Sequence, residues 1–241
     1  MLDEAQITRD TLLRGRVKLL QPRDGYRSSL DPVLLAGFVA PPFGHFLDIG
    51  CGTGALSLLL LARDEAATGV GVEMQARLAE LAERGRVENA FEERWHVTLA
   101  DVRQAGVVAA GAFNLVATNP PFRPLGSGVL PPDTERALAH HEVALKLADW
   151  LEVAAKALRP GGRLATIFPF ARWQELQAGL AACGFSLART RLVVPRAGGA
   201  PGRILVEARK GICESRIEPP LVVHDDSGYT PELRAMLGED A

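Results

Sequence analysis

Asn119-Pro120-Pro121-Phe122 places an amide side chain, two prolines and an aromatic ring in four consecutive positions. The asparagine offers a side-chain carbonyl. Pro120 offers a backbone carbonyl from a segment whose prolines cannot donate and whose dihedral angles are restricted. Two acceptors converging on one point suit a group that presents two N–H donors, such as an exocyclic amine on a base or a carboxamide. The Phe122 ring can stack on a flat partner. The catalytic set read from the sequence is therefore Asn119, Pro120, Pro121 and Phe122.

About 70 positions earlier stands a glycine-rich turn, Asp48-Ile49-Gly50-Cys51-Gly52-Thr53-Gly54. Its glycines let the backbone turn sharply and approach a ligand without side-chain clash, while the next helix points its unbonded N–H groups outward. Asp48 can accept from an amine, directly or through water. Glu73 closes the next apolar run at a distance where an acid can accept both hydroxyls of a ribose. Asp101, after a third run, is placed to meet an adenine amino group. The cofactor-binding set is Asp48, Gly50, Cys51, Gly52, Gly54, Glu73, Asp101 and Asn119. Cys51 reads as a small residue in a tight turn, since no histidine lies near it in sequence to activate a thiol. The turn also fits the G-x-G-x-x-A pattern of a dinucleotide site. That alternative leaves Asp48 and the Asn-Pro-Pro-Phe turn unexplained. Read together, the two motifs point to transfer of a methyl group from S-adenosylmethionine to nitrogen.

The elements needed to position these residues follow from hydrophobic period. Segments 45–49, 68–73, 95–100, 112–118 and 163–168 read as strands, and 55–63, 75–88, 141–158 and 172–183 as helices. Arg159-Pro160-Gly161-Gly162 is a stop-and-turn signal. Segments 187–194 and 203–208 flank a glycine-rich stretch and suggest a late hairpin with a flexible, basic tip. Alternating strands and helices imply a doubly wound parallel sheet with its ligand at the carboxyl ends of the strands. The expected organisation is a single domain, with an amino-terminal cap over 1–40, a catalytic core over 41–213 and a carboxyl-terminal extension over 214–241.

With 241 residues and 47% apolar content, the chain can bury one substantial core without disulfides or metal. Its three cysteines, Cys51, Cys183 and Cys213, form no C-x-x-C pair, so neither a disulfide framework nor a zinc site is expected, and a reducing cytoplasm is. No stretch reaches the roughly 18 apolar residues of a membrane span, and the start, Met1-Leu2-Asp3-Glu4, carries acid where a signal peptide carries base. The net charge of −2 excludes a uniformly basic coat, yet residues 156–216 hold eleven basic residues against three acids. That excess reads either as a phosphate-facing surface or as dispersed, solvated side chains. His140 and His141, adjacent at the start of a helix, read as capping or packing residues.

Five segments carry a resemblance to class I methyltransferases of the group that includes the bacterial valine-tRNA adenine N6-methyltransferases. They are Asp24-Gly25-Tyr26-Arg27-Ser28-Ser29-Leu30-Asp31-Pro32-Val33-Leu34-Leu35-Ala36, the glycine turn, Asn119-Pro120-Pro121-Phe122, Ala139-His140-His141-Glu142 and Tyr229-Thr230-Pro231-Glu232-Leu233. The resemblance covers nearly the whole chain. It implies a seven-stranded, mostly parallel Rossmann-like sheet with a late antiparallel strand, S-adenosylmethionine as cofactor, and N6 of an unpaired tRNA adenine, of the adenine-37 type in the anticodon loop, as acceptor. The family often has tyrosine where Phe122 stands; phenylalanine keeps the stacking face and loses a hydroxyl. A protein glutamine amide, a small molecule, or RNA binding without catalysis are the alternatives. The sequence leaves the oligomeric state open.

Overall fold

The computed structural model describes residues 2–120 and 145–239. Pro121, Phe122, His140 and His141, with the first part of the helix expected over 141–158, lie outside them. Apolar runs become strands where Val, Ile, Leu and Phe can be buried on both faces, as a parallel sheet requires. These are β3 (His45–Ile49), β4 (Thr68–Glu73), β5 (Trp95–Leu99), β6 (Phe113–Thr118) and β7 (Leu158–Pro169). They run parallel in the spatial order β5-β4-β3-β6-β7. β9 (Arg203–Lys210) returns antiparallel to β7, and β8 (Phe185–Arg196) pairs antiparallel to β9. The expected late hairpin is therefore present.

The sheet has nine strands, two more than expected, because β10 (Arg216–Asp225) adds parallel to β8 and the two-residue β11 (Gly228–Tyr229) pairs with the end of β10. Pro219 and Pro220 hid β10 from the sequence reading. They sit where the register shifts between Glu218 and Leu221, on a strand with little covering its outer side, and such a place tolerates missing donors. A second difference concerns the stop signal at 159–162. β7 already begins at Leu158, opposite Phe113, and the glycine pair forms an irregularity before pairing resumes at Arg163 opposite Leu115. Gly161 has φ +73°, so the turn chemistry is local and the strand continues past it.

Helices cover both faces. α1 (Asp31–Phe38) and α2 (Ala55–Arg63) bury their leucines with Phe43, Phe46 and Trp95 on one side. α4 (Leu147–Ala157) and α5 (Trp173–Ala182) pack Trp150, Leu151 and Leu176 on the other. α3 (Ala76–Glu88) packs against β5 and against β2 (Val17–Pro22), which forms an antiparallel hairpin with β1 (Ile7–Leu12). A last short helix, α6 (Pro231–Met236), packs on α1. Every parallel strand ends at the same edge of the sheet, which therefore carries Ile49, Glu73, Thr118 and the 196–203 tip together.

Part of the basic excess of residues 156–216 is engaged within the fold. Glu207, almost fully buried, has Arg189 at 3.3 Å, Arg163 at 3.8 Å and Arg209 at 3.9 Å. Arg163 also donates to the carbonyls of Ala40 and Pro42, and Arg189 to that of Phe38. Arg191 pairs with Glu232, Arg172 with Glu175 and Arg203 with Asp31. Arg163, Arg172, Arg189, Arg191 and Arg203 are thus part-buried in structural contacts, while Lys156, Arg159, Arg196, Arg209, Lys210 and Arg216 stay exposed. Removing the buried anion strands half-buried guanidinium groups, so Glu207→Ala is expected to cost about 3–5 kcal/mol. Urea unfolding of variant and wild type checks this, and a loss under about 1 kcal/mol would show the arginines to be solvated instead.

Candidate active site

β3 delivers the glycine turn to the sheet edge. Gly50, Gly52 and Gly54 all have positive φ, at +69°, +57° and +86°. A Cβ at Gly54 would lie 2.4 Å from Trp95 Cη2, so that position is closed to any side chain by packing as well as by conformation. The amides of Gly50 and Cys51 donate to the Val72 carbonyl at 2.9 and 3.1 Å, fastening the turn to β4. Thr118 Oγ1 donates to the Ile49 carbonyl at 2.9 Å, fastening the end of β6 to the same point. Asn119 thereby stands beside the turn although the two are far apart in sequence.

The three expected carboxylates occupy different electrostatic situations. Glu73 Oε2 accepts from the Gly52 amide at 2.9 Å and Oε1 from the Gln75 amide at 2.8 Å, so this acid organises the turn as well as facing the cleft. Asp48 is fully enclosed and accepts from Ser57 Oγ at 2.7 Å. Burial pushes its carboxyl up to about 7 against the help of Ser57, and the nearby charge of Glu73 adds to the rise. Asp101 goes the other way. Arg103 donates to it from Nε at 2.9 Å and Nη2 at 2.6 Å, and holds it below the ordinary carboxylate range.

Two adjoining spaces open here. A cleft runs past Glu73, Met74, Leu78, Asp101 and Val102. A smaller inner cavity is lined by Asp48, Cys51, Thr53, Ser28 and Pro32. Asn119, Gly50 and Tyr26 line both spaces and so mark their junction. Asn119 Oδ1 is buried and has no hydrogen-bond partner among the described residues, and the same holds for Thr53 Oγ1. A buried acceptor without a donor costs about 1–3 kcal/mol. A ligand N–H at the junction would remove that cost at Asn119.

The structure thus brings Asp48, Gly50, Cys51, Gly52, Gly54, Glu73, Asp101, Asn119 and Pro120 to one edge, with Cys51 lining the inner cavity only. The sequence reading missed Tyr26, whose site role depends on a contact between distant segments. It also missed Met74, Leu78 and Val102, apolar residues facing the cleft. Met74 is 43% exposed, and its place directly after the strand-ending acid was the available signal. Among the described residues no group of His, Cys, Asp or Glu is arranged to hold a metal, and no helix is long and apolar enough to cross a membrane.

The strand order, the reversed β9 and the acids at successive strand ends define a class I methyltransferase. The chain belongs to the methyltransferase small domain family, whose profile matches residues 30–172. It is 33% identical over 220 residues to a Porphyromonas gingivalis protein named tRNA1(Val) (adenine(37)-N6)-methyltransferase, covering 86% of this chain and 85% of that one. A Tolumonas auensis protein of the same name is 31% identical over 222 residues, with 91% of each chain covered. Among solved structures, a protein from Agrobacterium tumefaciens described as a predicted O-methyltransferase superposes with a TM-score of 0.70 at 26% identity, covering 88% of this chain and 97% of that one. A geranyl diphosphate methyltransferase in complex with SAM shares the fold, with a TM-score of 0.54 at 15% identity over 74% of this chain and 84% of that one.

Asp48 gives the unliganded protein a signed pH dependence. Its folded carboxyl holds a proton up to about pH 7, whereas the unfolded one loses it near 3.8. The folded state binds more protons between those values, so this group's contribution to stability falls as pH rises from about 4 to about 7 and is flat above. The change is on the order of 4 kcal/mol at most. Urea unfolding at pH 5 and pH 8 should show a decline in wild type that is much smaller in Asp48→Asn. An equal decline in both proteins would assign the effect to other groups.

Proposed function

We propose that this enzyme transfers a methyl group from S-adenosylmethionine to the exocyclic N6 of an unpaired adenine in tRNA, of the adenine-37 type in the anticodon loop. The observation that carries the reading is Asn119 Oδ1, buried and without a hydrogen-bond partner among the described residues, at the junction of the cleft and the inner cavity. An amino group placed there satisfies an acceptor that is otherwise stranded. A hydroxyl offers a single donor and makes poorer use of a motif built from two acceptors, Asn119 and Pro120. The names of the relatives from P. gingivalis and T. auensis support the same acceptor class.

S-adenosylmethionine supplies, when bound, a methyl group activated by a positively charged sulfonium. The site fits that group. Asp48 lines its inner cavity close enough to Glu73, in the adjoining cleft, for their charges to interact, and a cation relieves the repulsion. Its outer end offers Met74, Leu78 and Val102 as apolar walls for a purine, with Glu73 and Asp101 placed for ribose hydroxyls and the adenine amine.

The amino group of adenine is a poor nucleophile because its lone pair is delocalised into the ring. By accepting its N–H hydrogens, Asn119 and Pro120 favour the electron-rich, pyramidal form and hold the nitrogen in line as positive charge develops. The proton can leave after the methyl has moved, so no dedicated base is required. Pro121 and Phe122 complete the reading from sequence, Phe122 as the stacking face. An adenine already unpaired in a loop costs least to present to such a pocket. A tRNA substrate places the enzyme in the cytoplasm.

The test is transfer from labelled S-adenosylmethionine into unmodified tRNA, total protein and a small-molecule pool in parallel, followed by nucleoside analysis. The expected product is N6-methyladenosine in tRNA. Asn119→Ala should lower the rate about 10²–10³-fold while cofactor affinity, measured calorimetrically, stays within a few-fold. Label confined to protein or small molecules would overturn the substrate assignment, and an unimpaired Asn119→Ala would overturn the role of the motif.

A further inference from the structure

Residues 23–30 link β2 to α1, and they are held far more firmly than a connection needs. Ser28 donates its amide to Gln21 Oε1 at 2.6 Å, and Gln21, itself buried, donates to Asp10 Oδ2 at 2.5 Å. Arg27 reaches Asp10 at 2.6 Å, Thr8 Oγ1 at 2.7 Å and the Pro22 carbonyl at 3.1 Å. Arg23 donates to the Ala5 carbonyl at 2.8 Å, and Arg77 on α3 donates to the Asp24 carbonyl at 3.0 Å. At the far end Asp31, the first residue of α1, pairs with Arg203. The β1–β2 hairpin supplies most of these anchors.

The strap directs one large side chain into the site. Tyr26 lines both the cleft and the inner cavity, as Asn119 does. Its ring lies against the glycine turn, with Cε1 at 3.4 Å, a van der Waals distance, from where a Gly52 Cβ would be. Withdrawal from water raises the phenol above its ordinary range, and the carboxylates of Glu73, Asp31 and Asp48 around it push the same way. It is thus a neutral aromatic group in a pocket walled by acids. A neutral ring can sit beside a sulfonium and pack on a flat acceptor, which a charged side chain could not do equally well.

We infer that Tyr26 is a positioning residue for methyl transfer, its ring fixing where the acceptor nitrogen at Asn119 meets the methyl donor, and that the β1–β2 hairpin serves to hold it there. The inference rests on the methyltransferase reading of the site and adds a residue from outside both sequence motifs. Misplacing reacting groups by about an ångström costs on the order of 10²-fold in rate, so the effect belongs in kcat.

The experiment compares wild type, Tyr26→Phe and Tyr26→Ala by kcat and KM for the acceptor pool that wild type labels, S-adenosylhomocysteine affinity by calorimetry, and thermal unfolding. Tyr26→Ala should lower kcat about 30–100-fold while product affinity stays within about 5-fold and the protein unfolds near the wild-type temperature. Tyr26→Phe should restore kcat to within about 3-fold, because the ring does the positioning. Arg27→Ala, which loosens the strap without entering the site, should give a smaller fall in kcat. Unchanged kcat in Tyr26→Ala overturns the inference, as does a fall matched by lost product affinity or lost stability. A Phe variant as impaired as Ala overturns the assignment to the ring. The substrate reading fails separately, through which pool wild type labels, and the Tyr26 comparison is then made on that pool.

Discussion

The Glu73 carboxylate, accepting from the Gly52 amide on one oxygen and the Gln75 amide on the other, ties the end of β4 to a turn that has little reason to hold its shape alone. Three glycines with positive φ lose more chain entropy on ordering than other residues would. Backbone bonds to Val72 and the contact of Gly54 with Trp95 supply the rest of the restraint. With the turn fixed, the end of β6 has a rigid neighbour, and Thr118 can bond to Ile49. Asn119 owes its position to this sequence of ties. The acid that the motif suggests as a ligand acceptor is thus also a structural strut, and both uses need it ionised.

Charge is distributed along the site in a way that orients a cation. Asp101 at the outer end is already compensated by the bidentate Arg103. Asp48, in the inner cavity, accepts from the Ser57 hydroxyl, and burial leaves it reluctant to ionise, while Glu73 beside it accepts from the Gly52 and Gln75 amides. A molecule with a positive centre and a neutral purine gains most with its cation inward and its purine among Met74, Leu78 and Val102. Such an orientation brings the activated group toward Asn119 and Tyr26.

Features written in contiguous residues were legible. The buried runs of β3, β4 and β6, the leucines of α2 and the glycine turn each carry a local signal, and their order implied the doubly wound sheet with acids at its edge. Features that depend on distant partners were not. β10 reads as a broken segment because its prolines are harmless only against the register shift they occupy. The arginines of β7, β8 and β9 look like a basic surface until Glu207, Glu232 and Asp31 fold onto them. Tyr26 belongs to a segment whose resemblance to the family was visible, but its contact with Gly52 exists only once the hairpin returns the chain to the sheet edge.

The consumption of those arginines bears on how RNA would be held. A protein that neutralises many phosphates binds strongly, with a steep salt dependence and little regard for sequence. Here the exposed cation nearest the sheet edge on the 196–203 tip, Arg196, sits beside Asp225 and Asp226, and Arg203 is engaged by Asp31. Phosphate contact from this segment is therefore modest, and a larger share of recognition falls on the pocket that takes the base. A pocket can select only what can reach it. A nucleotide already unstacked in a compact loop pays no unpairing cost on entry, whereas a base within a duplex would have to recover that cost from backbone contacts this segment does not supply in quantity. The engaged arginines of the 196–203 tip and an acceptor aimed at one amino group thus favour the same substrate, an exposed loop adenine.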